Sequence, residues 1–230
     1  MLEKLKEKVL EANLSLSKYG LIALTWGNVS GIDREEGLIV IKPSGVEYDE
    51  MSDHDMVVVD FKCRVVEGKL RPSSDTPTHI ELYKAFPQIG GITHTHSINA
   101  TAFAQAGKEI PCLGTTHADL FSGAVPVTRL MTEDEVASAY EENTGKIIVE
   151  RFKELDPMAI PAVLVAGHGP FCWGKDPEDS VENSLALERI SEIALKTLQI
   201  NPDAGELPEY ILKKHHERKH GKNAYYGQKK

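Results

Sequence analysis

The stretch from Gly90 to Ala100, "GGITHTHSINA", constrains this chain more than any other. It begins as a buried strand would, yet it carries His94 and His96 one residue apart. Alternate side chains of an extended segment project from the same face, so the two imidazoles would stand side by side. Directly afterwards, "SINATAFAQAG" (97–107) has a helical pattern opened by Ser97 and closed by Gly107. Both histidines therefore sit at the carboxyl end of a strand, where α/β proteins place ligands. The pair reads either as metal ligands or as a hydrogen-bonded structural pair.

Helical and strand-like runs alternate through the rest of the chain. Leu2, Leu5, Val9, Ala12 and Leu16 recur at helical spacing before Gly20. Strand-like runs follow at 37–45 and 55–62, then a helix at 76–86 with Thr76 as N-cap and Pro77 at its first position. Beyond the histidines come a helix in 133–155, a strand at 160–169 and a helix at 177–199. Periodicity alone predicts a parallel sheet. With 230 residues, 41% of them hydrophobic, a single domain over 1–230 is expected. The segment from 208 to 230 starts as a helix and ends as a polar, aromatic tail.

A net charge of −9, with basic residues dense only in that tail, lacks the electrostatic footprint of a nucleic-acid binder. No apolar run approaches the ~18 residues of a membrane span, and the N-terminus has no apolar signal core. Cys63, Cys112 and Cys172 are isolated, which fits neither a disulfide framework nor a sulfur-bound metal. The expectation is a cytoplasmic protein with reduced thiols and no membrane partner.

Zinc takes histidine nitrogen readily, and a catalytic site keeps three protein ligands and an open position. "AVLVAGHGP" offers His168 after an apolar run, flanked by glycines that let backbone approach closely. His94, His96 and His168 would then converge from two strand ends. His54 and His79 read as surface or helix-face residues, and Cys172 as a small core residue. Three polar, glycine-bearing stretches, "WGNVSG" (26–31), "KPSG" (42–45) and "RPSSDTPTH" (71–79), have the turn chemistry that exposes N–H and hydroxyl donors to an anion, with Lys42 adding charge. None is a Walker loop or a dinucleotide fingerprint.

Taken together, "LTWGNVS", "IKPSGV", "PSSDTPTH", "HTHS", "GTTHAD", "HGPFCWG" and "RKHGKNAYYG" resemble the class II aldolase family, and within it the L-ribulose-5-phosphate 4-epimerase branch, from about residue 2 to residue 228. The resemblance implies a single α/β domain, a three-layer α/β/α sandwich with a central, mainly antiparallel sheet. It also implies a C4 homotetramer with sites at subunit boundaries. His94, His96 and His168 would be zinc ligands, with Asp75 an occasional fourth; manganese or cobalt would also suit a nitrogen and oxygen site. Gly27, Asn28, Lys42, Ser44, Gly45, Ser73 and Ser74 would bind a sugar phosphate, chiefly its phosphate. Asp119 and Tyr226 would transfer protons, supported by Glu141, His215 and Arg218, with the last two expected to reach the site from a neighbouring subunit.

The implied reaction interconverts L-ribulose 5-phosphate and D-xylulose 5-phosphate by retro-aldol cleavage and re-addition at C3–C4. A class II sugar-phosphate aldolase of the fuculose-phosphate type would share the metal and the phosphate pocket but release the aldehyde. Those aldolases resemble this sequence at "PSS" and follow it with glutamate, where this chain has Asp75. A non-catalytic assembly domain of the same fold is the third alternative, and it does not need the histidine triad.

Overall fold

A computed structural model describes residues 2–222 and 224–226. Residue 223 and residues 227–230, the end of the tail expected to contribute to the site, lie outside the described residues.

Every side chain of β2 (Leu38–Ile41) is buried, as are Val57, Val58 and Val59 of β3 (Val57–Asp60). Successive strand residues face opposite ways, so burial without alternation requires cover on both faces. Two core clusters provide it. One holds Leu38, Val40 and Val58 with Val9, Ala12 and Leu16 of α1 (Glu3–Lys18). The other holds Ile39, Val57 and Val59 with Ile80, Leu82 and Tyr83 of α2 (Thr76–Ala85). The result is the three-layer α/β/α sandwich.

The sheet also contains β1 (Asn28–Asp33), β4 (Val65–Glu67), β5 (Gly91–His94), β6 (Ala162–Leu164) and β7 (Pro170–Gly174). Its order is β4-β3-β2-β1-β5-β7-β6, and every neighbouring pair is antiparallel. The parallel sheet predicted from periodicity is thus wrong, and the mainly antiparallel sheet that the resemblance implies is right. Two strands absent from the periodicity reading explain the error. "WGNVSG" reads as a turn, yet Asn28 begins β1; "PFCWG" follows His168 as β7 and pairs back onto β6 across the short turn at 165–169.

Thr93 Oγ1 meets Ser180 Oγ of α6 (Pro177–Ile200) at 2.7 Å, so its neighbours Ile92 and His94 face the other way, toward α2. Register then sets Asn28, His94 and Phe171 in one row across β1, β5 and β7 on that face. Below the row, Trp173 packs with Phe86 and Phe152 at centroid separations of 5.3 and 5.0 Å.

One helix start differs from expectation and one agrees with it. Asp75, not Thr76, is the N-cap of α2. At α3 (Ile98–Gln105) Ser97 occupies the cap position without a side-chain bond, and the carboxylate of Glu188 on α6 accepts the N–H groups of Asn99 and Ala100 instead. That contact anchors the chain just past His96. The remaining helices are α4 (Thr115–Ala118), α5 (Glu133–Arg151), broken at Ala139, and α7 (Glu209–His220). No helix among the described residues is long and apolar enough to cross a membrane.

Candidate metal centre and anion pocket

His94 closes β5, His96 follows it, and His168 lies in the turn between β6 and β7. Their ring centroids form a nearly equilateral triangle, with sides of 4.9, 4.8 and 5.0 Å. One ligand nitrogen from each lies within 4.8 Å of the others. His94 Nδ1 donates to the Pro170 carbonyl at 2.9 Å, because a carbonyl can only accept. This fixes the tautomer and leaves His94 Nε2 bare, 3.1 Å from His96 Nε2. Phe171 stacks on His94 at 4.2 Å and holds the ring plane. His168 Nδ1 is buried without a hydrogen-bond partner. Burial, reinforced by the neighbouring imidazoles, lowers the pKa of His96 and takes that of His168 to about 4. Three imidazoles converging from rigid elements fit a divalent metal with open positions.

Asp75 stands beside this trio. Asn28 Nδ2 donates to its carboxylate at 2.6 Å. Burial opposes its charge, but His94, His79 and the Asn28 bond outweigh burial and keep its pKa below the ordinary value. Of the surface and helix-face readings of His79, the helix face holds: it lies on the buried face of α2, its Nδ1 2.7 Å from the Ser30 hydroxyl, and Ser30 also meets Tyr83 at 2.9 Å. Burial takes its pKa to about 3, so it is a neutral residue beneath the site.

A cavity of about 430 Å³ opens beside the histidines. Gly27, Asn28, Lys42, Ser44, Gly45, Ser73 and Ser74 all line it, together with Asp75, His94 and His96. Lys42 is buried, and among the described residues its ammonium has only carbonyl acceptors, on Val46 at 3.0 Å, Pro43 at 3.3 Å and Thr25 at 3.5 Å. The Tyr48 ring lies 4.7 Å beneath it. Burial lowers its pKa, with Glu47 acting weakly the other way. The backbone N–H groups of Gly27, Gly45 and Ser74 donate to no protein group among the described residues. Free donors beside a cation without a carboxylate partner suit an anion. Gly27 has a second duty: φ is +79°, and a Cβ there would lie 2.9 Å from the His94 carbonyl oxygen.

Asp119, at the end of α4, belongs to a different cluster. It accepts from His215 Nδ1 at 3.0 Å and from Arg218 Nε at 2.8 Å and its second nitrogen at 2.5 Å. Burial acts to raise its pKa, but Arg218 and His215 prevail and lower it. Arg218 also lies over the Tyr226 ring at 4.6 Å, and its carbonyl accepts the Tyr226 N–H. His215 and Arg218 therefore engage Asp119 of their own chain. No hydrogen bond, ion pair or ring contact among the described residues joins this cluster to the three histidines. Glu141 lies apart from it, its carbonyl accepting from the Thr78 hydroxyl at 2.5 Å.

The sequence matches the class II aldolase and adducin N-terminal domain over residues 7–195. The chain belongs to that family. Its fold is similar to that of an L-fuculose 1-phosphate aldolase, at 26% identity and a TM-score of 0.79, covering 94% of this chain and 95% of the other. An L-fuculose 1-phosphate aldolase from Glaciozyma antarctica shares the fold at 19% identity and a TM-score of 0.75, covering 95% of this chain and 84% of that one. One from Thermus thermophilus does so at 22% and 0.66, covering 88% and 98%.

Sequence reasoning on this class II aldolase chain passed over several residues at its histidine site. Trp26, half exposed, has its ring 6.0 Å from that of His96, and the Tyr140 ring lies 6.3 Å from that of His168. Trp26 opens the glycine-bearing "WGNVSG", a signal that could have found it. Nothing in the local pattern marks Tyr140.

Proposed function

We propose that the chain is a zinc-dependent epimerase interconverting L-ribulose 5-phosphate and D-xylulose 5-phosphate. The observation that carries this reading is a cavity with two unlike ends. One end is made by the converging histidines, and the other by the buried Lys42 ammonium and the free N–H groups of Gly27, Gly45 and Ser74. A ketose phosphate is likewise double-ended, with a carbonyl and adjacent hydroxyl at one end and a dianion at the other.

C4 of the pentulose is not adjacent to the C2 carbonyl, so removing its hydrogen would leave an unstabilised carbanion. Breaking C3–C4 avoids this: the C4 hydroxyl loses its proton, C4 becomes an aldehyde, and the bonding pair moves into an enediolate across C2 and C3. Bound zinc would supply Lewis-acid stabilisation of that developing charge. The aldehyde stays held by its phosphate, turns its other face, and re-addition inverts C4. Each direction needs one group to take a proton and another to give one.

Asp119 and Tyr226 are the pair for this work. His215 and Arg218 keep the Asp119 carboxylate ionised and oriented, and Arg218 carries the Tyr226 ring. Because this cluster stands apart from the histidines of its own chain, the complete site forms where the cluster of one copy meets the cavity of another, as in a C4 homotetramer. The shorter Asp75 in "PSSD", tied to Asn28, supports epimerisation over an aldolase that uses glutamate there.

A fuculose-phosphate-type aldolase is the second reading, favoured by the 26% identity to such an enzyme. A product assay on L-ribulose 5-phosphate separates the two. Xylulose phosphate supports the epimerase, and net dihydroxyacetone with glycolaldehyde phosphate supports the aldolase.

A further inference from the structure

The second half of α5 begins at a break that the fold holds in place. Ala139 leaves helical geometry, with φ −150° and ψ 73°, and no proline or glycine stands there to cause it. Asn143 Nδ2 donates across the break, to the Glu135 carbonyl at 2.8 Å and to the Ser138 hydroxyl at 3.2 Å. Past the break, the Thr144 hydroxyl donates to the Tyr140 carbonyl at 2.9 Å.

Tyr140 is the residue this arrangement delivers. Its ring lies 6.3 Å from His168 and inclined at 44°, it is 37% exposed, and its hydroxyl bonds to no described residue. A helix continued through Ala139 would satisfy its own backbone without help from Asn143. The interruption therefore serves the side chain that follows it. That side chain is a rigid phenol beside the one metal-site histidine that does not line the phosphate cavity.

We propose that Tyr140 contacts substrate, donating a hydrogen bond to an oxygen of the three-carbon part of the sugar phosphate seated at His94, His96 and His168. The inference rests on the reading of this site as one for sugar phosphates, and it holds for epimerase and aldolase alike. Tyr140 is distinct from Tyr226, which belongs to the Asp119 cluster.

The test is calorimetric titration of zinc-loaded wild type and Tyr140→Phe with dihydroxyacetone phosphate and, separately, inorganic phosphate. The variant should bind dihydroxyacetone phosphate about tenfold more weakly, the loss of one hydrogen bond to a polar ligand, with inorganic phosphate binding and zinc content unchanged. Asn143→Ala, which frees the break, should weaken dihydroxyacetone phosphate in the same direction. Unchanged affinity in either variant overturns the proposal, and so does an equal loss for both ligands or a loss of zinc. Failure of the wild type to bind either ligand overturns the sugar-phosphate reading itself, and the proposal with it.

Discussion

Gly169 separates His168 from Pro170, and a single added methyl there probes how tightly the metal ligands are held. Its φ lies outside the left-handed range, so alanine meets no backbone penalty and the effect of Gly169→Ala comes from contact alone. The new Cβ would lie 2.9 Å from the Thr95 carbonyl oxygen and 3.7 Å from His94 Cε1. Thr95 is the residue between two ligands, and its carbonyl is backbone, which cannot swing aside as a flexible side chain could. Either the His94–His96 segment or the His168 turn must shift by a few tenths of an ångström. Overpacking of this kind costs about 1–3 kcal/mol. If the strain falls on the ligand triangle, zinc affinity drops by roughly 5- to 150-fold. Competition against a chelator of known affinity measures this directly, with thermal unfolding of the metal-free protein as the control. Wild-type zinc affinity in Gly169→Ala would refute the claim that the three histidines form a rigid, preset site.

Lys42→Met keeps the buried stem and removes the ammonium; it should weaken inorganic phosphate binding by about tenfold or more without lowering the unfolding temperature, since that charge is held against burial. For Asp119, whose folded-state pKa lies below its ordinary value of 3.8, the stabilisation from His215 and Arg218 is fully present above that value and is lost as pH falls through the lower folded value. Asp119→Asn should flatten this acid-side dependence in unfolding experiments and abolish turnover. Truncation after Lys222 removes Tyr226 and should cut turnover strongly while zinc content stays intact; normal turnover would exclude a working tail.

The histidine alternation at 94 and 96 was legible because strand geometry maps sequence spacing directly onto space. His168 was legible through its glycine-flanked turn. By contrast, Asn28 and Ser30 lie in a stretch whose glycines read as punctuation, and only pairing with His94 and Ile92 makes it a strand. His79 gave no local sign of burial, since its partner Ser30 lies 49 residues away. The break at Ala139 is spanned by the Asn143 side chain reaching back to Glu135 and Ser138, with no proline or glycine to announce it. The antiparallel sheet came from resemblance to the family and not from periodicity, because alternation of elements does not reveal that β6 turns straight back into β7. The in-chain pairing of Asp119 with His215 and Arg218 spans nearly a hundred residues, beyond any local signal.

A three-histidine metal site and an anion pocket sharing one cavity, and there epimerising a ketose phosphate, make up the central claim. A coupled assay on L-ribulose 5-phosphate, with metal analysis of the same sample before and after chelation, tests it most directly. The expected product is D-xylulose 5-phosphate, with activity lost on chelation, restored by zinc, and proportional to the zinc retained. Net release of dihydroxyacetone and glycolaldehyde phosphate, or turnover indifferent to chelation, would contradict it.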